Sequence, residues 1–460
     1  MAEKQYTVSL FIFRRDLRLH DNTALNQAAL LSANVIPCFI IDPRQVGDAN
    51  SYRSDAALQF MYESLTELDE ELRTHKGHLS FLYGKADSVV ADILASTKID
   101  AIFFNKDYTP FSLERDAALA ALAHRHGCKI HTYEDALLTN PELVKTINNT
   151  PYTIFTPFFK HCIRTYPVPA PEKLFPVHFS TKKIAGEAPS ALKKITFDDN
   201  KNLHMHGGRK KGLALLKKIK TFKDYAQTRN IPAIMTTNLS AHHKFGTLSI
   251  RETYHAVCKD LASNHPLIQQ LYWRDFFSHV AYHSPYVFGQ PYKEHYKKLP
   301  WKNNTKDFIN WCNGTTGFPL VDAGMRQLNA TGFMHNRVRM ITASFLVKDL
   351  HIDWHWGEKY FAQKLVDYDP AVNNGNWQWA ASTGCDAQPY FRIFNPWLQQ
   401  KKFDPACAYI KRWLPELKMV KPAILHTWFK ETSPKINNYP RPLVDHALES
   451  KKTKLMYQNT

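Results

Sequence analysis

The chain has 460 residues, 44% hydrophobic and 22% charged, the proportions of a soluble globular protein with room for several domains. Its net charge of +17 favours a polyanionic partner, nucleic acid first, and seven scattered cysteines without a C-x-x-C pair exclude a disulfide scaffold and a zinc ribbon. No apolar run approaches the roughly 20 residues of a membrane helix, and the charge-interrupted start MAEKQYTVSLFIFRRD does not read as a secretory signal, so a reducing, cytoplasmic setting is expected. In chain order, short runs rich in Val, Ile and Phe at 8–13, 35–41, 79–83 and 101–105 read as strands. Helical segments at 54–73 and 113–126 lie between and after them, and this alternation predicts an α/β, Rossmann-like, doubly wound parallel sheet over 1–135. Neither G-x-G-x-x-G nor G-x-x-x-x-G-K-[ST] occurs, which argues against a dehydrogenase or a P-loop enzyme. Residues 136–205 carry eight prolines and little periodicity and read as a long connector. From 206 to 460 the pattern is helical, with helices predicted at 212–229, 265–281, 321–331, 337–350 and 358–365, an all-α domain.

All ten tryptophans fall between Trp273 and Trp428, a segregation that a core does not need and that suits a flat cofactor, a flat substrate or a path for single electrons. The densest stretch is DYDPAVNNGNWQWAASTGCDAQPYFRIFNP, from Asp367 to Pro396. Gly207-Gly208-Arg209-Lys210-Lys211 opens a basic helix that suits either a phosphate or plain solvation. Thr236, Thr237, Asn238, Leu239 and Ser240 offer three hydroxyls and an amide for clasping a pyrophosphate or capping a helix. Trp273 beside Arg274 is a stacking surface next to a cation, suited to a base or a flavin, or to core packing with an ion pair. In HNRVRM (335–340), Arg339 calls for a carboxylate partner, with Asp367 and Asp369 as candidates. The histidine pairs His204/His206, His242/His243 and His351/His355 lack further ligands at metal spacing and read as structural, so no metal is expected. Neither a Ser-His-Asp order nor a G-x-S-x-G elbow appears, which disfavours nucleophilic hydrolysis.

FRRDLRLHDNTAL (13–25), WRDFF (273–277), MRQLNATGFMHNRVRMITASFLVKDLHIDW (325–354) and NNGNWQWAASTG (373–384) together resemble the photolyase/cryptochrome family along essentially the whole chain. Within it they look most like class I cyclobutane pyrimidine dimer photolyases. The resemblance implies an N-terminal antenna domain, a C-terminal FAD domain, and a light-driven carbon–carbon lyase in which reduced FAD passes an electron to a flipped-out dimer in damaged DNA. It assigns Tyr225, Thr236, Thr237, Asn238, Leu239, Ser240, Gln270, Arg339, Asp367, Tyr368, Asp369 and Asn373 to FAD, with Asn373 facing flavin N5. Trp377, Trp354 and Trp301 match the tryptophans that carry an electron from the surface to the flavin. Trp273 and Trp379 match the pair that sandwiches the dimer; Gln270, Arg274, Asn336, Arg337 and Met340 belong to that pocket or its mouth, and Arg229, Arg392 and Gln399 to the DNA contact.

This chain departs from the pattern at Gln270, where a glutamate is usual, and at Phe333, where a tryptophan is usual. The segment DYTPFSLERD (107–116) lacks the Asn-Glu pair associated with folate, so the antenna is a methenyltetrahydrofolate, an 8-hydroxy-5-deazaflavin, another flavin or nothing. The alternatives within the family are a (6-4) photolyase, which carries histidines where this chain has Asn336 and Met340, and a DASH-type or signalling cryptochrome. The DASH type usually has tyrosine in place of Trp379, and a signalling cryptochrome ordinarily adds a C-terminal extension. A monomer is expected.

Overall fold

The computed structural model describes residues 4–430, 432 and 436–460. Contacts divide the chain into two units. The first takes the chain up to Asp199 together with Met205–Lys223 and Thr237–Pro285; the second takes Asn200–His204, Asp224–Thr236 and Tyr286–Thr460.

In the first unit, β1 (Tyr6–Phe13), β2 (Ser32–Ile41), β3 (Ser80–Tyr83), β4 (Ala101–Asn105) and β5 (Lys129–Tyr133) form one sheet in the order β3-β2-β1-β4-β5, every pair parallel. The inner strands are continuous apolar runs rather than alternating ones because helices bury both faces. Two flanking helices, Asp55–Thr74 and Pro110–Arg125, stand close to their predicted positions. The sequence pattern did not announce β5 or, among the helices, Thr23–Leu31, Pro43–Val46, Ala86–Ser96 and Ile250–Asp260. The stretch Phe13–Leu25 owes its charges to a buried network. Arg18, 1% exposed, donates to Asp135 (2.6 Å), and Arg251 bridges Asp21 (3.0 Å) and Asp135 (2.8 Å). Each buried guanidinium thus has the carboxylate that keeps its burial tolerable.

The connector is not featureless: it holds the helix Phe155–Thr165 and a 3-10 turn at Pro189–Lys194. The helix predicted over 212–229 is broken into Arg209–Leu216, a 3-10 turn at Ile219–Phe222 and Tyr225–Thr228. Lys217, Lys218, Lys220 and Lys223 fall within about two turns there, and like charges at that spacing oppose a continuous helix.

The second unit is helical around an apolar core that includes Trp311, Trp354, Trp377 and Trp428. Pro319–Thr331, Asn336–Lys348 and Trp354–Lys364 bear out the helices predicted there. Pro370–Ala380, inside the stretch of highest interest, is a helix too. Among the described residues no helix is long and apolar enough to cross a membrane.

Candidate functional site

The second unit assembles the densest set of candidate residues around one turn. The helix Pro319–Thr331 stops at Gly332, whose φ of +66° is the left-handed conformation that ends helices and favours glycine. Three residues later His335 caps the helix Asn336–Lys348, its ring accepting from the Arg337 amide. Burial and the cations Arg339 and Arg337 push the His335 pKa down to about 4. Arg339 lies one turn into that helix. Its Nε donates to the Met334 carbonyl (2.7 Å), and its two terminal nitrogens donate to the two oxygens of Asp367 (3.2 and 3.0 Å). Asp367 is held there because the Val366 amide donates to the Gly332 carbonyl (2.8 Å), bringing residues 366–367 back onto the turn. The result is a fork-to-fork ion pair, the strongest form of that contact.

Asp369, two residues on, caps the helix Pro370–Ala380 by accepting from the Ala371 and Val372 amides. The two aspartates therefore do different work, and among the described residues no group of three or more metal-ligating side chains occurs. Asn373 is buried, its Nδ2 donating to the Glu358 carbonyl (3.1 Å), while no donor among the described residues reaches its Oδ1. Asn374 and Gln378 spend their amides on Val287, Glu358 and Gln290, which pins this helix against residues 287–292.

Trp377 and Trp379 stand two residues apart, about 200° around the helix. Trp377 accordingly points inward and is 2% exposed, whereas Trp379 is half-buried with Phe394 beside it. Gly357 makes the inward position possible, since a Cβ there would lie 2.1 Å from the Trp377 ring. Trp354 starts the helix that carries Gly357, is 1% exposed and stacks on His355. Trp301 is half-buried against the same core, edge-on to Tyr457. Trp311, not singled out from the sequence, meets the Trp377 ring at 6.1 Å and is fully buried.

The outward residues of this unit are Asn336, exposed and reaching Met340 four residues on; Arg337, whose Nε and Nη2 donate to Asn230 Oδ1 (3.2 and 2.6 Å); and Arg392, exposed. Gln399 is half-buried, with its Oε1 unpartnered. Tyr225, Arg229, Thr236 and Tyr368 are half-buried, and burial raises the Tyr225 phenol pKa.

In the first unit, Asn238 takes a left-handed backbone (φ +55°) just before the short helix Ser240–Phe245; Asn238 and Leu239 are buried, Thr237 is half-buried and Ser240 exposed. Gln270, Trp273 and Arg274 share the helix Pro266–His283. Gln270 Nε2 reaches the Pro266 carbonyl at 3.4 Å. One face of Trp273 is covered by Phe155, at 3.7 Å and 8° from parallel, so a base has only its other face. Phe155 was missed because it lies 118 positions earlier, in the proline-rich stretch. Arg274, expected at the dimer pocket or its mouth, donates to the Ala136 (2.5 Å) and His243 (3.4 Å) carbonyls. The phosphate reading of Gly207–Lys211 fails: the amides of Gly207, Gly208 and Lys210 go to Glu63, Ser64 and Glu67. His242 and His243 bond Thr247 and Thr253, as structural histidines should.

Comparison with known proteins agrees with this picture. The family described as "DNA photolyase" matches residues 9–176, and the "FAD binding domain of DNA photolyase" matches residues 267–459. A protein of Synechococcus sp. named deoxyribodipyrimidine photo-lyase is 37% identical, over 97% of this chain and 96% of that one. The crystal structure of an archaeal photolyase from Sulfolobus tokodaii, with two FAD molecules, superimposes with a TM-score of 0.90 at 43% identity, covering 99% of this chain and all of that one. A Synechocystis cryptochrome is also similar, at 30% identity and a TM-score of 0.88, over 99% of this chain and all of the other.

Proposed function

The chain belongs to the DNA photolyase family, and from that premise we propose that it is a light-driven lyase that splits cyclobutane pyrimidine dimers in DNA. The observation that carries the reading is the Arg339–Asp367 fork, with Asn373 buried six residues further on, inside the segment matching the FAD-binding family. This donor set fits a flavin. A guanidinium fixed by its own carboxylate favours negative charge on a neighbouring ring without being neutralised by a proton. Asn373, with its amide nitrogen engaged, presents an uncharged acceptor suited to N5. Asp369 and Tyr368 are assigned to the same group, as are Tyr225 and the hydroxyls and amides of Thr236, Thr237, Asn238, Leu239 and Ser240, the last five toward its phosphates. When bound and reduced, FAD supplies on illumination the electron that opens the cyclobutane ring and receives it back.

Trp377, Trp354 and Trp301 run from fully to half-buried, the gradation expected of a path that draws electrons from a reductant at the surface. Trp379 and the face of Trp273 away from Phe155 would hold the dimer, with Gln270, Asn336, Arg337 and Met340 lining its pocket or mouth. Arg229, Arg392 and Gln399 would meet the backbone, where affinity comes mostly from charge. A damaged pair stacks poorly, so flipping it out costs less than flipping normal bases. We assign residues 1–135 to antenna binding, 136–205 to the connector and 206–460 to FAD, in a cytoplasmic monomer. For the antenna we propose a second flavin, because the S. tokodaii relative holds two FAD.

The test is a repair assay with reduced, purified protein and DNA carrying either cyclobutane dimers or (6-4) lesions, in the dark and under near-UV or blue light. Light-dependent loss of the dimers alone is expected. Bound flavin without repair would indicate a cryptochrome, and loss of (6-4) lesions a different lyase.

A further inference from the structure

Asn200–His204, cut from the proline-rich connector, belongs by its contacts to the second unit. It is fastened to the C-terminal end of the helix Pro319–Thr331: Asn200 Nδ2 donates to the Ala330 carbonyl (3.1 Å), and the His204 amide donates to the Thr331 carbonyl (3.0 Å). These two bonds lay the His204 imidazole flat on Phe333, with centroids 4.3 Å apart and planes 7° from parallel. The Arg339 guanidinium lies over the same phenyl ring, 5.3 Å from its centroid. Phe333 is thus the common neighbour of a histidine that no part of the proposed reaction uses and of the arginine at the centre of the site.

We infer that the His204–Phe333 stack is the positioning element for Arg339. The N–H groups through which Arg339 bonds, Nε to Met334 and the fork to Asp367, all lie in the guanidinium plane. In-plane bonds resist sliding but leave the plane free to rock about the line joining its partners. A ring beneath the cation removes that freedom, and the attraction between cation and π-face adds to it. A phenyl ring alone can turn about its own bond; the parallel imidazole holds it flat. His204 acts through Phe333, and Phe333 through Arg339; neither is a catalytic residue. The consequence concerns charge: in a half-buried site, a displacement of a cation by an ångström changes its interaction with a neighbouring anion appreciably. The inference rests on the assignment of Arg339 and Asp367 to FAD.

The measurement is the reduction potential of FAD in the holoprotein, by spectroelectrochemistry, with flavin content and melting temperature taken alongside. Phe333→Leu is expected to cut the preference for reduced over oxidised FAD about tenfold, a shift of about 30 mV to more negative potential for a two-electron couple. His204→Ala should shift it the same way by less, and His204→Phe, which restores a flat ring, should return it to the wild-type value. Arg339→Ala is the reference for the site itself. If Arg339→Ala moves the potential while Phe333→Leu and His204→Ala leave it unchanged at normal flavin content, the stack does not position Arg339 and the inference falls alone. If Arg339→Ala leaves the potential unmoved, or the purified protein retains no flavin, the site assignment falls and takes the inference with it. Should Phe333→Leu fail to fold, the half-buried His204 pair, Ala against Phe, decides the matter.

Discussion

Trp377 and Trp379 differ by two positions and by what surrounds them, and the difference separates two roles. The half-buried ring of Trp379 retains surface for a base, so Trp379→Ala should weaken binding of dimer-containing DNA by roughly 1–3 kcal/mol, the worth of one base stack, with little loss of FAD. A titration in the dark reads this directly; unchanged affinity would remove Trp379 from the clamp. The inward tryptophans should behave oppositely. Trp354→Phe keeps a flat apolar ring over His355 but removes the easily oxidised indole. Photoreduction of oxidised flavin should then stop, while enzyme reduced chemically beforehand still repairs. Loss of both activities would mark Trp354 as a packing residue only, and the fully buried Trp311, in ring contact with Trp377, would be the next indole to test if photoreduction survived.

At the scale of elements, the closeness of the helices Trp354–Lys364 and Pro370–Ala380 depends on one missing side chain. A Cβ at Gly357 would meet the Trp377 ring at 2.1 Å and Leu346 at 2.6 Å, both inside the core. Gly357→Ala should therefore destabilise the protein by about 1–3 kcal/mol, the usual cost of overpacking, despite the better helix propensity of alanine. A denaturant titration showing equal or greater stability would mean that the two helices separate freely. Much at this scale was legible in the sequence because the signal is local. Four of the five strands are apolar runs, and the aspartates, asparagines and tryptophans of 367–379 announce their chemistry by type. What escaped depends on distant partners or on misread punctuation. β5 (KIHTY) is a short edge strand, exposed or half-buried throughout, with no apolar pattern. Pro157 read as a breaker, yet it sits in the first turn of Phe155–Thr165, where its absent N–H has no helical partner to lose. Glu63 and Glu67, which take the amides at Gly207 and Lys210, lie about 140 positions away, and nothing at either end points to the other.

For the whole molecule, the balance of buried titratable groups decides how stability responds to acid. Burial holds His242, His335 and His351 down to about 4, and His243 and His279 to about 3, each with neighbouring charges as smaller contributors. Unfolded histidine titrates near 6.5, so between about 3 and 6.5 the unfolded chain binds more protons at these five sites. Their contribution is fully present above about 6.5 and is lost as the pH falls toward the folded values. Buried carboxylic acids oppose them, Asp275 and Asp349 most: burial raises Asp275 to about 7 and Asp349 to about 6, so each favours the folded state below about 4 and loses that effect as the pH rises. His355 and the acids Asp16, Glu71, Glu134, Asp322, Glu358 and Asp404 are raised too, but by less than Asp275, while His131 and His283 are lowered with the five; the histidine shifts are the larger together, so the histidines should prevail. The melting temperature is expected to be highest near neutrality and to fall continuously from about pH 6.5 to pH 4. Scanning calorimetry across that range tests this, and a flat or rising profile on acidification would show that these histidines are hydrated, and protonated, in the folded protein. The same neutral histidines leave the charge of +17 to lysine and arginine at pH 7. Affinity for DNA should therefore depend far more steeply on salt than on pH between 6.5 and 8, because those side chains do not titrate there and each phosphate contact releases a bound counterion.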